Sequence, residues 1–183
     1  DKMEPGMNFI NYKTKKDPTV PFMVDNEGHI RYVLDYTNHP DLLNLDYDVG
    51  PERMENGDFL FGYYPRNLVY QVSVLGDVIN KWTMDGYTFH HDATEKENGN
   101  ILVTVDKLNS LHPWGNVSVE DHVVEIDAQS GAIINEWNLK ESLDPHRVTQ
   151  GFTAFNGILD WAHENGVIED SSDNSIIVSC RYQ

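Results

Sequence analysis

Short apolar runs rich in Val, Ile, Leu and aromatic residues recur along this chain, separated by clusters of Asn, Asp, Gly and Ser. Runs of this length bounded by turn residues predict β-strands and hairpins. Phe22-Met23-Val24, the turn Asp25-Asn26-Glu27-Gly28 and an apolar run ending at Leu34 read as one hairpin. Residues 69–82 and 123–137 each read as a strand, a Gly-containing turn and a strand ending Ile-Asn-x-Trp, at Trp82 and Trp137. A second repeated piece is Glu55-Asn56-Gly57-Asp58 before Phe59-Leu60-Phe61, and Glu97-Asn98-Gly99-Asn100 before Ile101-Leu102-Val103. A third copy is Asp173-Asn174-Ser175 before Ile176-Ile177-Val178. Together these pieces make a unit of four strands.

Four strands recurring at about 40 residues, insertions apart, is the signature of a β-propeller blade. The expected fold is therefore all-β: two complete four-stranded blades, the trailing hairpin of an earlier blade and the leading hairpin of a later one. Propellers typically close with about four or more blades, so the chain is expected to be a fragment of a longer protein. Residues 1–21, polar and rich in Lys and Pro, read as an extended lead-in, and residues 22–183 as a partial propeller domain. Two long insertions, 107–121 and 139–159, interrupt the pattern. The second opens on a short helix at Lys140-Glu141-Ser142-Leu143. Long connections of this kind commonly shape binding sites.

Charge narrows the choice of partners. The 183 residues carry 13 basic and 30 acidic side chains, a formal charge of −17. Nucleic acid and anionic membranes should repel such a surface, and no run of about 18 apolar residues predicts a membrane span. Arginine is confined to Arg31, Arg53, Arg66, Arg147 and Arg181. The single cysteine, Cys180, lies in an apolar strand and reads as a buried structural thiol; it says nothing about redox compartment.

The segment from Asp160 to Gln183 concentrates the candidate chemistry. It reads as two strands joined by the polar turn at 169–175, with His163, Asn165 and Val167 alternating onto one face. If the hairpin closes, Arg181 comes near His163 and Asn165, and a cation, an imidazole and an amide converge as an anionic ligand requires. His90-His91-Asp92 is the other candidate. Adjacent strand residues point to opposite faces, so the two histidines are not expected to share a metal, and none is assigned. His29, His39, His112, His122 and His146 read as solvent-facing or structural. Tyr63, Tyr64, Trp114 and Phe152 could form an aromatic rim for an aryl group, but surface or core packing is the favoured reading.

Asp160-Trp161-x-His163-x-Asn165, an acidic turn, then Ser179-x-Arg181-x-Gln183 resembles the bacterial arylsulfate sulfotransferase family, as does His90-His91-Asp92 followed by Glu97-Asn98-Gly99-Asn100. The likeness runs from about Val24 to Gln183 and implies a longer, six-bladed parent. It implies transfer of a sulfuryl group from an aryl sulfate to a phenol without a cofactor. His163, Arg181 and a histidine of the His90-His91 pair would be catalytic, and Asn165 and Arg181 would bind substrate. His90 is favoured to face inward, because aligning Asn100 on Ser175 sets His90 on Asn165. The family's covalent nucleophile, a further histidine, would lie beyond this chain. Export to an extracytoplasmic compartment is expected from the resemblance alone, and a homo-oligomer is left open. The alternatives are a non-catalytic propeller that binds a ligand or protein, and a metal-dependent hydrolase or lyase.

Overall fold

A computed structural model describes residues 6–12, 20–35, 39–42, 51–147 and 153–183. The described residues are almost entirely β-structure. The strands are β1 Asn8–Tyr12, β2 Val20–Val24, β3 Ile30–Val33, β4 Glu52–Arg53, β5 Phe59–Tyr63, β6 Leu68–Val72, β7 Val78–Thr83, β8 Tyr87–Glu95 and β9 Ile101–Lys107. They continue with β10 Val117–Val119, β11 His122–Ile126, β12 Ile133–Asn138, β13 Thr153–Phe155, β14 Ile158–Asp160, β15 Glu164–Asp170 and β16 Ser175–Cys180. One short helix, α1 Leu139–Ser142, falls where the sequence predicts it, its first turn capped by Asn138 Oδ1 accepting from Lys140 N at 3.2 Å. No helix among the described residues is long and apolar enough to cross a membrane.

The two predicted four-stranded units are two antiparallel sheets, ordered β4-β5-β6-β7 and β12-β11-β9-β8. The expected hairpin at 22–35 forms from β2 and β3, but β1, inside the segment read as a lead-in, pairs with β2 to make it three-stranded. The expected hairpin at 160–183 is β15–β16, with Asp170 opposite Ser175.

A shared polar ladder explains the sequence repeat. In one sheet Asn80 donates to Gln71 at 2.6 Å and Gln71 donates to Asp58 at 2.7 Å. In the other, Asn135 and Asn100 each donate to Glu125 at 2.7 Å. The Asn of Ile-Asn-x-Trp and the last residue of the Asn-Gly turn are thus bridged by the polar side chain on the strand between them, Gln71 in one sheet and Glu125 in the other. A second repeated device ties neighbouring sheets. Glu95 of β8 accepts from Glu55 N, and Glu169 of β15 accepts from Glu97 N, both at 2.7 Å.

Apolar faces between these ties form the core. Leu60, Val69, Trp82 and Met84 pack against Phe89, Ile101, Val103, Val105, Val124 and Ile126. Leu102 and Val123 pack against Val167 at the next junction. The approach of β5 to β8 is close enough to require a glycine: a Cβ on Gly62 would lie 1.9 Å from the Phe89 ring. Lys96 is buried where the sheets meet, between Glu125 at 3.2 Å and Glu169 at 3.3 Å.

A histidine and carboxylate cluster as the candidate active site

The two insertions build the site. β10, from the first, pairs in parallel with β14, from the second, and β13 completes a small sheet. Val119 stands opposite Asp160 in that register, so Glu120, one residue on, arrives beside Asp160. The chain then turns through Trp161 and Ala162, both fully buried, and delivers His163. His91, Glu120 and His163 hold left-handed backbone angles, φ +58°, +57° and +54°. Such angles are uncommon for these residue types and turn their side chains away from regular strand directions.

The strain at His91 coincides with a register shift in β8 between Phe89 and Ala93. It overturns the expectation that adjacent histidines face apart. The His90 and His91 rings pack at 4.1 Å between centroids, and each lies within 6 Å of the His163 ring, at 5.7 Å and 5.6 Å. Asp92 does not join them as a ligand. Its carboxylate accepts from Val167 N at 2.9 Å and ties β8 to β15.

Carboxylates stand behind the imidazoles. Glu120 pairs with His90 Nε2 through Oε1 at 3.0 Å and with His163 Nδ1 through Oε2. The hydrogen bond of His163 Nδ1 goes to Asp160 Oδ2 at 2.6 Å; Glu120 Oε2 is in ion-pair contact with the same nitrogen but has no hydrogen-bond partner among the described residues. Burial acts to raise the Glu120 carboxyl, but the His90 hydrogen bond and the charges of His90, His163 and His91 outweigh it and hold it low. Asp160 moves the other way, raised by burial and then by the charge of Glu120. Below them Asp106 accepts from Glu120 N at 2.6 Å, and burial pushes its carboxyl up to about 6. Glu164 is fully buried with no hydrogen-bond partner among the described residues for either carboxylate oxygen, and burial with the nearby charge of Asp121 and Asp106 raises it well above the glutamate range.

Asp121 is a structural hub. It accepts from His122 Nδ1 at 2.6 Å, Lys140 Nζ at 2.7 Å and Trp161 Nε1 at 2.8 Å. Burial would raise its carboxyl, but these donors and the Lys140 charge bring it down to about 2. His122 and His112 are buried, His112 with Nε2 2.8 Å from Pro145 O, so both are structural as expected. Cys180 is partly buried, and burial followed by Glu164 pushes its thiol up to about 11.

The hairpin bonds the Arg181 backbone to His163 and moves Asn165 off the expected face. Arg181 N donates to His163 O at 2.9 Å, and its guanidinium lies 5.2 Å from the Tyr182 ring centre. The Tyr182 ring in turn sits 5.3 Å from that of His163. A bulge between Glu164 and Gly166 breaks the alternation, so Val167 is buried while Asn165 is exposed. Of the proposed aromatic rim, Tyr64 stands 5.9 Å from His90 and Trp114 packs on His112; Phe152 lies outside the described residues. Sequence reading missed Glu120 and Asp106 as site residues and used Asp160 only as part of a motif.

Among the described residues, two groups have the donor atoms for a cation. Glu120, Asp160 and His163 bring ligand atoms within 4.8 Å of one another, and so do Asp25, Glu27 and His29. In the second group the Asp25 carboxylate is already used by its own turn, accepting from Glu27 N, His29 N and Arg31 Nε.

This architecture defines an all-β protein with a shielded imidazole–carboxylate site at the junction of its sheets. The family model for arylsulfotransferases (ASST) matches residues 1–183, and the chain belongs to that family. It is 27% identical over 204 residues to an arylsulfate sulfotransferase, AssT, of Escherichia coli O6:H1 strain CFT073. It is 27% identical over 207 residues to the AssT of Lelliottia amnigena. Each match covers 88% of this chain and 33% of the relative, so the chain spans about a third of these proteins. It also has a TM-score of 0.45 and 14% identity to a protein of unknown function from Bacteroides caccae, over 67% of this chain and 39% of that one.

Proposed function

We propose that this chain is the site-bearing part of an arylsulfate sulfotransferase built as a β-propeller. The observation that carries the reading is the convergence of His90, His91 and His163, from two separate motifs, with the backbone of Arg181, just past the end of β16, bonded to His163. The two four-stranded sheets with repeated ladders and ties support the propeller. The names of the curated relatives support the chemistry.

Sulfuryl transfer spreads charge over the non-bridging oxygens, and catalysis rests on positioned cations and donors. Arg181 supplies a planar fork for two sulfate oxygens. His163 gives a proton to the departing aryl oxygen as the S–O bond breaks, and a histidine outside these 183 residues takes the sulfuryl group on nitrogen. A phenol then attacks sulfur, the N–S bond breaks, and the phenolic proton returns to His163. Asn165 offers an amide donor at the edge of the substrate. An extracytoplasmic setting belongs to the same reading.

The test is phenol release from a chromogenic aryl sulfate by the full-length protein, with and without an acceptor phenol. Release should accelerate with acceptor, and His163→Ala and Arg181→Ala should each reduce it by about 100-fold or more. Anion binding without turnover in a well-folded protein would replace this reading with a binding propeller.

A further inference from the structure

We infer that Tyr64 is a specificity-determining residue of this site: its exposed ring, carried to His90 by the turn between β5 and β6, takes the aromatic ring of the substrate while the imidazoles and Arg181 take the anionic end. The inference rests on the sulfotransferase reading for its ligand class and names the side chain that recognises the ring.

The ring contacts give the site a direction. The Arg181 guanidinium lies 5.2 Å from the Tyr182 ring centre, and the Tyr182 ring lies 5.3 Å from that of His163. His163 is 5.7 Å from His90, and His90 is 5.9 Å from Tyr64, the last pair edge to face at 75°. A cation stands at one end of this series and a phenol ring at the other. An aryl sulfate has the matching order, a charged group for the guanidinium and imidazoles and a flat apolar ring for Tyr64.

Exposure sets Tyr64 apart within the series. Tyr182 is 7% exposed and His90 6%, whereas Tyr64 is 42% exposed. The buried rings are spent on packing inside the protein, and the Tyr64 ring still has surface to offer an incoming ring. A single exposed aromatic residue at a turn is ordinary. Tyr64 differs in touching a buried imidazole of the site and in standing on a fixed turn.

Backbone bonds hold that turn in place. Arg66 N donates to Tyr63 O at 2.6 Å within it. Phe89 N, one residue before His90, donates to Arg66 O at 2.8 Å, and Met84 N donates to Asn67 O at 2.8 Å. The close approach of β5 to β8 at Gly62 and Phe89 brings the two elements within reach of these bonds. Tyr64 is thus held against β8 before any ligand arrives, and little order is lost when a ring packs on it. One added aromatic pair of this kind changes affinity by about 3- to 10-fold. It is present in the bound substrate and in the transition state alike, so it acts on KM and not on kcat.

The experiment is calorimetric titration of the full-length protein with methanesulfonate, benzenesulfonate and 2-naphthalenesulfonate, with phenol release from an aryl sulfate measured alongside. These sulfonates keep the anion, vary the ring and carry a C–S bond in place of the ester oxygen. Wild type should bind the naphthalene compound best and methanesulfonate worst. Tyr64→Ala and Tyr64→Leu should weaken both aromatic sulfonates by about 3- to 10-fold and leave methanesulfonate within about twofold, and Tyr64→Phe should match wild type. In Tyr64→Ala the KM for the aryl sulfate should rise by a similar factor while kcat stays within about threefold. A damaged fold would weaken all three ligands together. Such an equal loss in both Tyr64→Ala and Tyr64→Leu would overturn the inference, as would an unchanged ring preference in Tyr64→Ala. So would a wild type that binds none of the three or all three alike. A wild type that prefers aromatic sulfonates through Tyr64 but releases no phenol would remove the sulfotransferase reading and keep Tyr64 as a ring-binding residue. Phenol release with a Tyr64→Ala protein indistinguishable from wild type would do the reverse.

Discussion

At the scale of single residues, the site depends on charges taken out of water and paired to differing degrees. Asp121 is fully paired: three donors converge on a carboxylate with no exposure. Replacing it with Ala strands Lys140 and His122, and should cost about 3–5 kcal/mol, read as a lower midpoint in chemical denaturation. Its folded pKa lies below the unfolded value. Its contribution is therefore complete above about pH 4 and is lost only as pH falls toward 2. Glu164 is the reverse case, buried with no partner for its oxygens among the described residues and raised well above the glutamate range. A raised carboxyl favours the fold at low pH and loses that stability as pH rises through the folded value. Glu164→Gln, which cannot ionise, should therefore gain on wild type by up to about 1.4 kcal/mol per pH unit over that window. Denaturation midpoints at pH 5 and pH 8 measure it; an equal difference at both would show that Glu164 does not titrate there.

At the scale of elements, strands and turns follow from local chemistry, and their meeting depends on a few exact fits. The hairpins, the Asn-Gly turns and α1 were all legible, because period-two patterning and turn residues act over a few positions. The bulges in β8 and β15 were not. The irregularity in β15 inserts one extra residue and that in β8 two, and His90-His91 and His163-x-Asn165 carry no local mark of it. This is why the histidine pair was expected to split and why Asn165 was expected beside His163. The junction of β5 with β8 offers a test of packing. Gly62→Ala should push its methyl into Phe89 and destabilise the protein by about 1–3 kcal/mol. The same substitution paired with Phe89→Leu should recover part of that loss, measured as a double-mutant cycle.

At the scale of the whole molecule, the charge of −17 is a standing repulsion spread over a small surface. Salt shortens its reach, from a Debye length of about 30 Å at 0.01 M to about 8 Å at 0.15 M. The melting temperature should therefore rise over that range of NaCl, and a fall would mean that surface ion pairs such as Lys107–Glu136 outweigh the net repulsion. Against this background the cations near the site, Arg181 and Lys140, stand out, and only one of them is exposed.

What the sequence by itself determined is the all-β character, the four-stranded repeats, the family, and the two motifs that hold His90, His91, His163 and Arg181. All of these are written in residues close together along the chain. Only the tertiary structure decided that Glu120 and Asp160 face one another. It also decided that three imidazoles share one site, and that Asp92 ties sheets together instead of joining the histidines. Those outcomes depend on the parallel pairing of β10 with β14 across two insertions, and on left-handed turns at His91, Glu120 and His163. Contacts between residues some forty to seventy positions apart are set by how the sheets pack, and no short stretch of sequence encodes that.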